Sequence, residues 1–202
     1  RKDALISARD IARGLVKKSI WNDVMEAKDD ITCGVVYFRE PRTTLVLTGP
    51  PTSRERDRDI ADLVRDFPGK KIVAGGTTAN IVARELGRGI RVCLKNLDRE
   101  IPPHSEMEGV DLVTEGILTM GKVAEILESG TPLERLPKNS AVMMADHLLN
   151  SDIIHFVVGT KINEAHQDPN VPVELEIRRN VVKKAARLLE EKYLKEVHVR
   201  FV

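Results

Sequence analysis

The chain has 202 residues, with 32 basic and 31 acidic side chains and a net charge of +1. Hydrophobic residues make up 42% of it and charged residues 31%, which is typical of a soluble globular protein that can bury one core and carry a shorter additional segment. The balanced charge argues against a nucleic-acid partner, and no apolar run approaches the roughly 20 residues that span a membrane.

The beginning of the chain predicts an amphipathic helix followed by a strand. Apolar residues at helical spacing favour a helix over residues 7–21, and Ser7 and Asp10 have the spacing of a capping box. A β-branched and aromatic run over residues 31–38 is typical of a strand. Glu40-Pro41-Arg42 interrupts the pattern, so we place a domain boundary there, between residues 1–41 and 42–202.

An acidic pair, Asp29 and Asp30, stands directly before the predicted strand. Two aspartates at this position are commonly turn formers. A carboxylate at a strand entrance can also bind a hard divalent cation, so the pair is a candidate metal ligand as well.

After residue 42, predicted strands alternate with predicted helices. The strands are expected over residues 44–48, 71–74, 90–94, 110–114, 152–158 and 197–201, the helices over 56–67, 75–86, 119–128, 140–149 and 177–192, and long loops over 95–108 and 163–175. This alternation predicts an α/β fold in which a mostly parallel sheet is covered by helices on both faces, a Rossmann-like doubly wound arrangement. The cysteines, Cys33 and Cys93, lie in apolar runs, which predicts reduced thiols and a cytoplasmic location.

Four of these strands end in turns that are rich in threonine and glycine. Ligands of open α/β sheets bind at the carboxyl edge, and glycines followed by a helix start favour a phosphate or carboxylate. Taken singly, each turn is better explained as a tight connection capped by threonine than as a ligand site, and for the four together both interpretations remain open. The candidate ligand-binding residues are Thr48, Gly49, Gly75, Gly76, Thr77, Thr78, Asn80, Thr114, Glu115, Gly116, Gly159 and Thr160.

Two histidines near these turns call for different interpretations. His155 lies within an apolar strand, which favours a packing role over a catalytic one. His166 and Asp168 lie in the predicted loop over residues 163–175, which could close over the four turns. Because no nucleophile accompanies them, they do not make a catalytic triad.

The sequence Asp-Asp-Ile-Thr at residues 29–32, with a helix before it and an apolar run after it, resembles the end of the catalytic domain in PPM-type metal-dependent Ser/Thr phosphatases. The resemblance is to the stage II sporulation protein E group. There the first aspartate of the motif binds Mn²⁺ or Mg²⁺, and the matching residue is Asp29. Residues 42–202, notably 75–87 and 159–180, resemble the C-terminal extension of clostridial members of that group.

The resemblance implies that the chain is the C-terminal part of a bacterial phosphoserine and phosphothreonine phosphatase, whose other metal ligands lie upstream. It implies a phosphoprotein substrate for that parent, such as a sigma-factor regulator, with Mn²⁺ or Mg²⁺ as its cofactor. The fragment itself is expected to have no cofactor, no catalytic residue and no activity, and its second domain to bind a small anionic ligand and regulate the catalytic part.

Two alternatives remain open for residues 42–202. One is a non-catalytic module for docking or homodimerisation, in which the strand tips bind nothing. The other is an independent enzyme that acts on a phosphorylated metabolite at Thr77, Thr78 and Glu115.

Overall fold

The structure is a computed structural model that describes residues 8–94, 98–160 and 171–202, with the side chains of 171–174 excepted. Its internal contacts divide the chain into two compact units, Arg1–Glu40 and Pro41–Val202. We describe each unit by itself.

The first unit contains helix α1, Ala8–Asn22, which confirms the predicted helix. None of its residues is buried, and the side chain of Trp21 is 61% exposed. Val24 and Met25 follow the helix with positive φ angles of 58° and 68°, a conformation that ends a right-handed helix. Ser7 lies outside the described residues.

The strand predicted over residues 31–38 is wrong. The structure has no regular secondary structure there, and Phe38 is 90% exposed. A strand persists only when a neighbouring strand satisfies its backbone hydrogen bonds. The described residues 8–40 contain no second strand, so the local propensity of this apolar run has no pairing partner.

The strands and helices predicted for the second unit are all present in the predicted order, with one additional strand. Short 3₁₀ turns lie at Arg54–Arg56 and Leu133–Arg135. The strands are β1 Thr43–Thr48, β2 Lys70–Ala74, β3 Ile90–Val92, β4 Ser105–Met107, β5 Val110–Thr114, β6 Ile153–Val158 and β7 Glu196–Phe201. The helices are α2 Asp57–Asp66, α3 Gly76–Leu86, α4 Ile117–Ser129, α5 Ser140–Leu149 and α6 Val171–Glu191.

The seven strands in the described part of the chain form one sheet in the order β3-β4-β5-β2-β1-β6-β7. The five strands β5, β2, β1, β6 and β7 are mutually parallel, and at one end β4 pairs antiparallel with both β5 and β3. The mixed, mostly parallel sheet confirms the predicted α/β class.

Two segments that were predicted as loops contain regular secondary structure. The predicted loop over 95–108 contains β4, whose sequence Ser-Glu-Met carries no strand signal of its own and which forms by pairing with β3 and β5. Helix α6 begins at Val171, within the predicted loop over 163–175. His166 and Asp168 lie outside the described residues.

Two buried clusters cover opposite faces of the sheet. Alternate residues of β1 point to opposite faces, so Val46 joins one cluster while Leu45 and Leu47 join the other. Residues of α4, α5 and α6 pack in the cluster of Val46, and residues of α2 and α3 pack in that of Leu45. Because both faces are covered, the carboxyl edge of the parallel strands is the natural place for a ligand.

Candidate functional site at the carboxyl edge of the sheet

The four threonine- and glycine-containing turns lie along one edge of the sheet. In the parallel ladders Thr48 is paired with both Ala74 and Val158, and Ala74 is paired with Thr114. The strands therefore end side by side, and the prediction that their turns meet at one edge is confirmed.

The strand order reverses between β1 and β6, which makes this pair of strand ends the topological switch point of the sheet. The backbone N–H of Gly159 donates a hydrogen bond to the carbonyl oxygen of Thr48 at 2.8 Å. A Cβ atom added to Gly159 would lie 2.1 Å from the carbonyl oxygen of Pro50. A side chain at this position is therefore excluded, and the two turns are in direct backbone contact.

Arg178 of α6 reaches the same place. A Cβ atom added to Gly49 would lie 2.9 Å from Nη1 of Arg178, and Gly49 has a φ of 80°, which glycine adopts without strain. The guanidinium therefore lies against the turn that follows β1. The sequence gives no sign of this arrangement, because Arg178 is one charged residue among several in its helix and only the fold brings it to Gly49.

The hydroxyl of Thr160 has a structural role at the switch point. Its Oγ1 donates to the carbonyl oxygen of Val202 at 2.8 Å, and its backbone N–H donates to the same oxygen at 2.8 Å. The Oγ1 atoms of Thr52 and Thr160 are also 2.8 Å apart. Since the Thr160 proton is directed at Val202, Thr52 is the donor of that bond. Thr160 therefore anchors the end of the chain to the turn after β6.

The turn after β2 presents the start of α3 at the neighbouring position. Gly75 is the N-cap residue, with a φ of 129°, and its backbone N–H donates to the carbonyl oxygen of Thr114 at 2.9 Å. Gly76, Thr77 and Asn80 are exposed, whereas Thr78 is only 1% exposed. The exposed hydroxyl and amide can meet a ligand in solution, but the Thr78 side chain is part of the packing.

The turn after β5 is already satisfied internally. Thr114 donates its hydroxyl hydrogen to the carbonyl oxygen of Glu115 at 2.8 Å. The Glu115 carboxylate accepts a hydrogen bond from the backbone N–H of Leu118 at 3.2 Å, so it caps the start of α4. A Cβ added to Gly116 would be in ordinary van der Waals contact with the Cα of Gly75, at 3.5 Å, so the turns after β2 and β5 are neighbours. Thr114 and Glu115 thus have structural partners in place.

Asp29 is not part of a set of metal ligands among the described residues. It is exposed, and its Oδ1 accepts a hydrogen bond from the backbone N–H of Asp30 at 2.8 Å. Among the described residues, the one group of three side chains able to share a metal ion is elsewhere. The described residues therefore do not build the Mn²⁺ or Mg²⁺ centre that the resemblance implies, and no metal-dependent step follows from them.

No residue of the four turns lines either of two cavities of the second unit. One, of about 360 Å³, lies between residues 101–104 and helix α5. The other, of about 530 Å³, lies between α2 and the end of β7. The prediction that the four turns form the main pocket stays a prediction, because residues 161–170, which follow Gly159 and Thr160, lie outside the described residues.

No protein-family model matches this chain, and no curated protein is similar enough to it to count as a relative. Each helix of the described residues is too short or too polar to cross a membrane. The functional assignment therefore has to come from the chemistry of the sheet edge.

Proposed function

We propose that Pro41–Val202 is a domain that binds a phosphate-bearing or other anionic small molecule at the carboxyl edge of its sheet. The observation that carries the proposal is the switch point between β1 and β6. There Gly49 and Gly159 bring two backbone turns into contact, and the guanidinium of Arg178 lies against Gly49.

The chemistry of the edge favours an anion for two independent reasons. A guanidinium is always charged and donates paired hydrogen bonds that match phosphate and carboxylate oxygens. The first turn of α3 has no side-chain cap from its N-cap residue Gly75, and it presents backbone N–H groups and the positive end of a helix dipole. Because β1 and β2 are neighbours about 4.8 Å apart, one phosphate-bearing ligand can reach both groups.

From the resemblance, we further propose that this domain regulates a PPM-type phosphatase domain in a longer bacterial, cytoplasmic protein. In that parent, Asp29 would be one ligand of Mn²⁺ or Mg²⁺, and the substrate would be a phosphoprotein such as a sigma-factor regulator. A single carboxylate does not make a metal site. The chain alone should accordingly hydrolyse p-nitrophenyl phosphate with Mn²⁺ only at background rate, and turnover that Asp29→Asn abolishes would overturn this reasoning.

Ligand titration tests the anion site directly. We expect phosphate, pyrophosphate or a nucleoside triphosphate to raise the melting temperature of the chain and to bind in calorimetry. Arg178→Gln should weaken binding by about 1.5–3 kcal/mol, the range for hydrogen bonds to charged groups. Thr77→Val should weaken it by about 1 kcal/mol.

A matched control lies on the same helix. Arg187 is exposed and pairs with Glu191 one turn further on, so Arg187→Gln removes an equal charge without touching the strand ends. Equal losses in the two arginine variants would indicate non-specific attraction. Absence of binding by all three anions would instead favour the docking module.

A further inference from the structure

The β3–β4 hairpin brings together polar side chains that are distant in sequence. Arg91 is paired with Glu106 across the hairpin, and the backbone N–H of Cys93 donates to the carbonyl oxygen of His104 at 2.9 Å. Alternate residues of a strand share a face, so these four side chains lie on one face of the hairpin. Ile90 and Met107, on the other face, pack in the cluster beneath α3.

Three of these side chains have ligand atoms close enough to share a metal ion. The Sγ atom of Cys93, a ring nitrogen of His104 and a carboxylate oxygen of Glu106 all lie within 4.8 Å of one another. Zinc with tetrahedral ligands at 2.0–2.3 Å separates those ligand atoms by about 3.5 Å. Side-chain movements of about an ångström would bring the three ligand atoms from their present separations to about 3.5 Å.

We propose that Cys93, His104 and Glu106 bind a divalent transition-metal ion of the zinc class. A thiolate and a carboxylate together neutralise the two positive charges, and a neutral imidazole completes the set of donors. The thiolate favours zinc over Mg²⁺ and Ca²⁺, which prefer oxygen ligands. The site is distinct from Asp29 and from the sheet edge, and it does not depend on the proposed function.

A bound metal ion would compete with Arg91 for the carboxylate of Glu106. The side chain of Arg91 is 82% exposed and that of Glu106 is 53% exposed. Ion pairs with this exposure contribute about 0–1 kcal/mol, because water and salt screen them. A metal–carboxylate bond in the same position is much stronger, and Arg91 can then turn into solvent.

Three protein ligands leave one tetrahedral position open, as in zinc sites that bind water or a small ligand. His104 also lines the cavity of about 360 Å³ next to helix α5, together with Asn139 and Asp146. The bound metal would therefore lie at the rim of a cavity with polar groups in its wall. This distinguishes the site from a closed structural zinc site with four protein ligands.

Metal analysis of the purified 202-residue chain tests the proposal. We expect one equivalent of Zn²⁺ to remain after dialysis, and Co²⁺ in its place to give a thiolate-to-metal charge-transfer band. Zn²⁺ should also raise the melting temperature, because a ligand that binds only the folded state stabilises it. Cys93→Ser and His104→Gln should each lower the affinity by more than about tenfold, a loss that even outer-shell partners can cause.

The second cysteine gives a matched control. Cys33 is not one of the three proposed ligands, so Cys33→Ser should keep the stoichiometry, the cobalt band and the shift in melting temperature. Zn²⁺ at background level in the unaltered chain would overturn the proposal. So would equal binding by the unaltered chain and by folded Cys93→Ser, with folding checked by circular dichroism.

Discussion

Two phenylalanines in similar apolar runs have opposite environments in the two units. Phe38 ends the run Val-Val-Tyr-Phe and is 90% exposed, whereas Phe156 lies in Ile-Ile-His-Phe-Val-Val and is fully buried. Phe156 belongs to β6, which is paired with β1 on one side and with β7 on the other. Local composition is therefore not what buries an aromatic side chain; neighbouring strands and a helix layer do so.

The largest effect that tests this comparison is expected when each phenylalanine is replaced by alanine in a separate variant. Phe156→Ala should lower the free energy of unfolding of Pro41–Val202 by about 3–5 kcal/mol, since it leaves a cavity between the sheet and its helices. Phe38→Ala should change it by less than about 0.5 kcal/mol. Urea unfolding followed by circular dichroism measures both, and similar losses would refute the contrast between the units.

A pair of glycine substitutions tests the same contrast between the units, with a smaller expected change in the free energy of unfolding. Gly159→Ala should cost about 1–3 kcal/mol of unfolding free energy, because the added methyl group meets two backbone carbonyl oxygens of the turn after β1. Gly34→Ala in the first unit meets no atom within 4 Å. The control should therefore leave the urea midpoint unchanged, and a loss equal to that of Gly159→Ala would contradict the close approach of the two turns.

The smallest expected effect is a change in the free energy of unfolding with pH between 5 and 7. Burial, with the nearby ammonium of Lys70, lowers the pKa of His147 below its usual 6.5. Burial and the ring of His198 likewise lower the pKa of His155. The unfolded chain then binds more protons, so the free energy of unfolding should fall as the pH drops below 6.5 and level off below the folded pKa values.

Replacement of the histidine checks the sign of this dependence. His147→Gln should reduce the slope of unfolding free energy against pH in urea titrations between pH 5 and 7. All five histidines follow residue 41 in the sequence, so helix α1 should show no dependence of this kind in that range. A slope that steepens in the variant would be inconsistent with the lowered pKa.

Sequence patterns could predict the elements whose signals are local. β6 can be predicted from its apolar run, α3 from the glycine at its end and α5 from its asparagine cap. In the structure, Asn139 accepts a hydrogen bond from the backbone N–H of Val142. β4 could not be predicted, because Ser-Glu-Met acquires strand structure only from its neighbours. His155 was correctly expected to pack, and its ring stacks on His198 at 4.9 Å.

The residues that carry the two proposals depend on contacts that are distant in sequence. Arg178 meets Gly49 only because α6 follows β6 at the switch point. Cys93 meets His104 only because β3 and β4 pair. The number of residues between Cys93 and His104 in the sequence matches no familiar zinc motif. The remaining local signal was the alternation of His104 and Glu106, which a strand would place on one face.

The two ends of the sheet limit how the molecule associates with itself. β7 closes one end and carries Glu196, His198 and Arg200, all exposed, while β3 closes the other end with only three residues. Charge on one edge strand and shortness of the other are devices that discourage strand-to-strand aggregation. A continuous sheet across two copies of this chain is accordingly disfavoured at both ends.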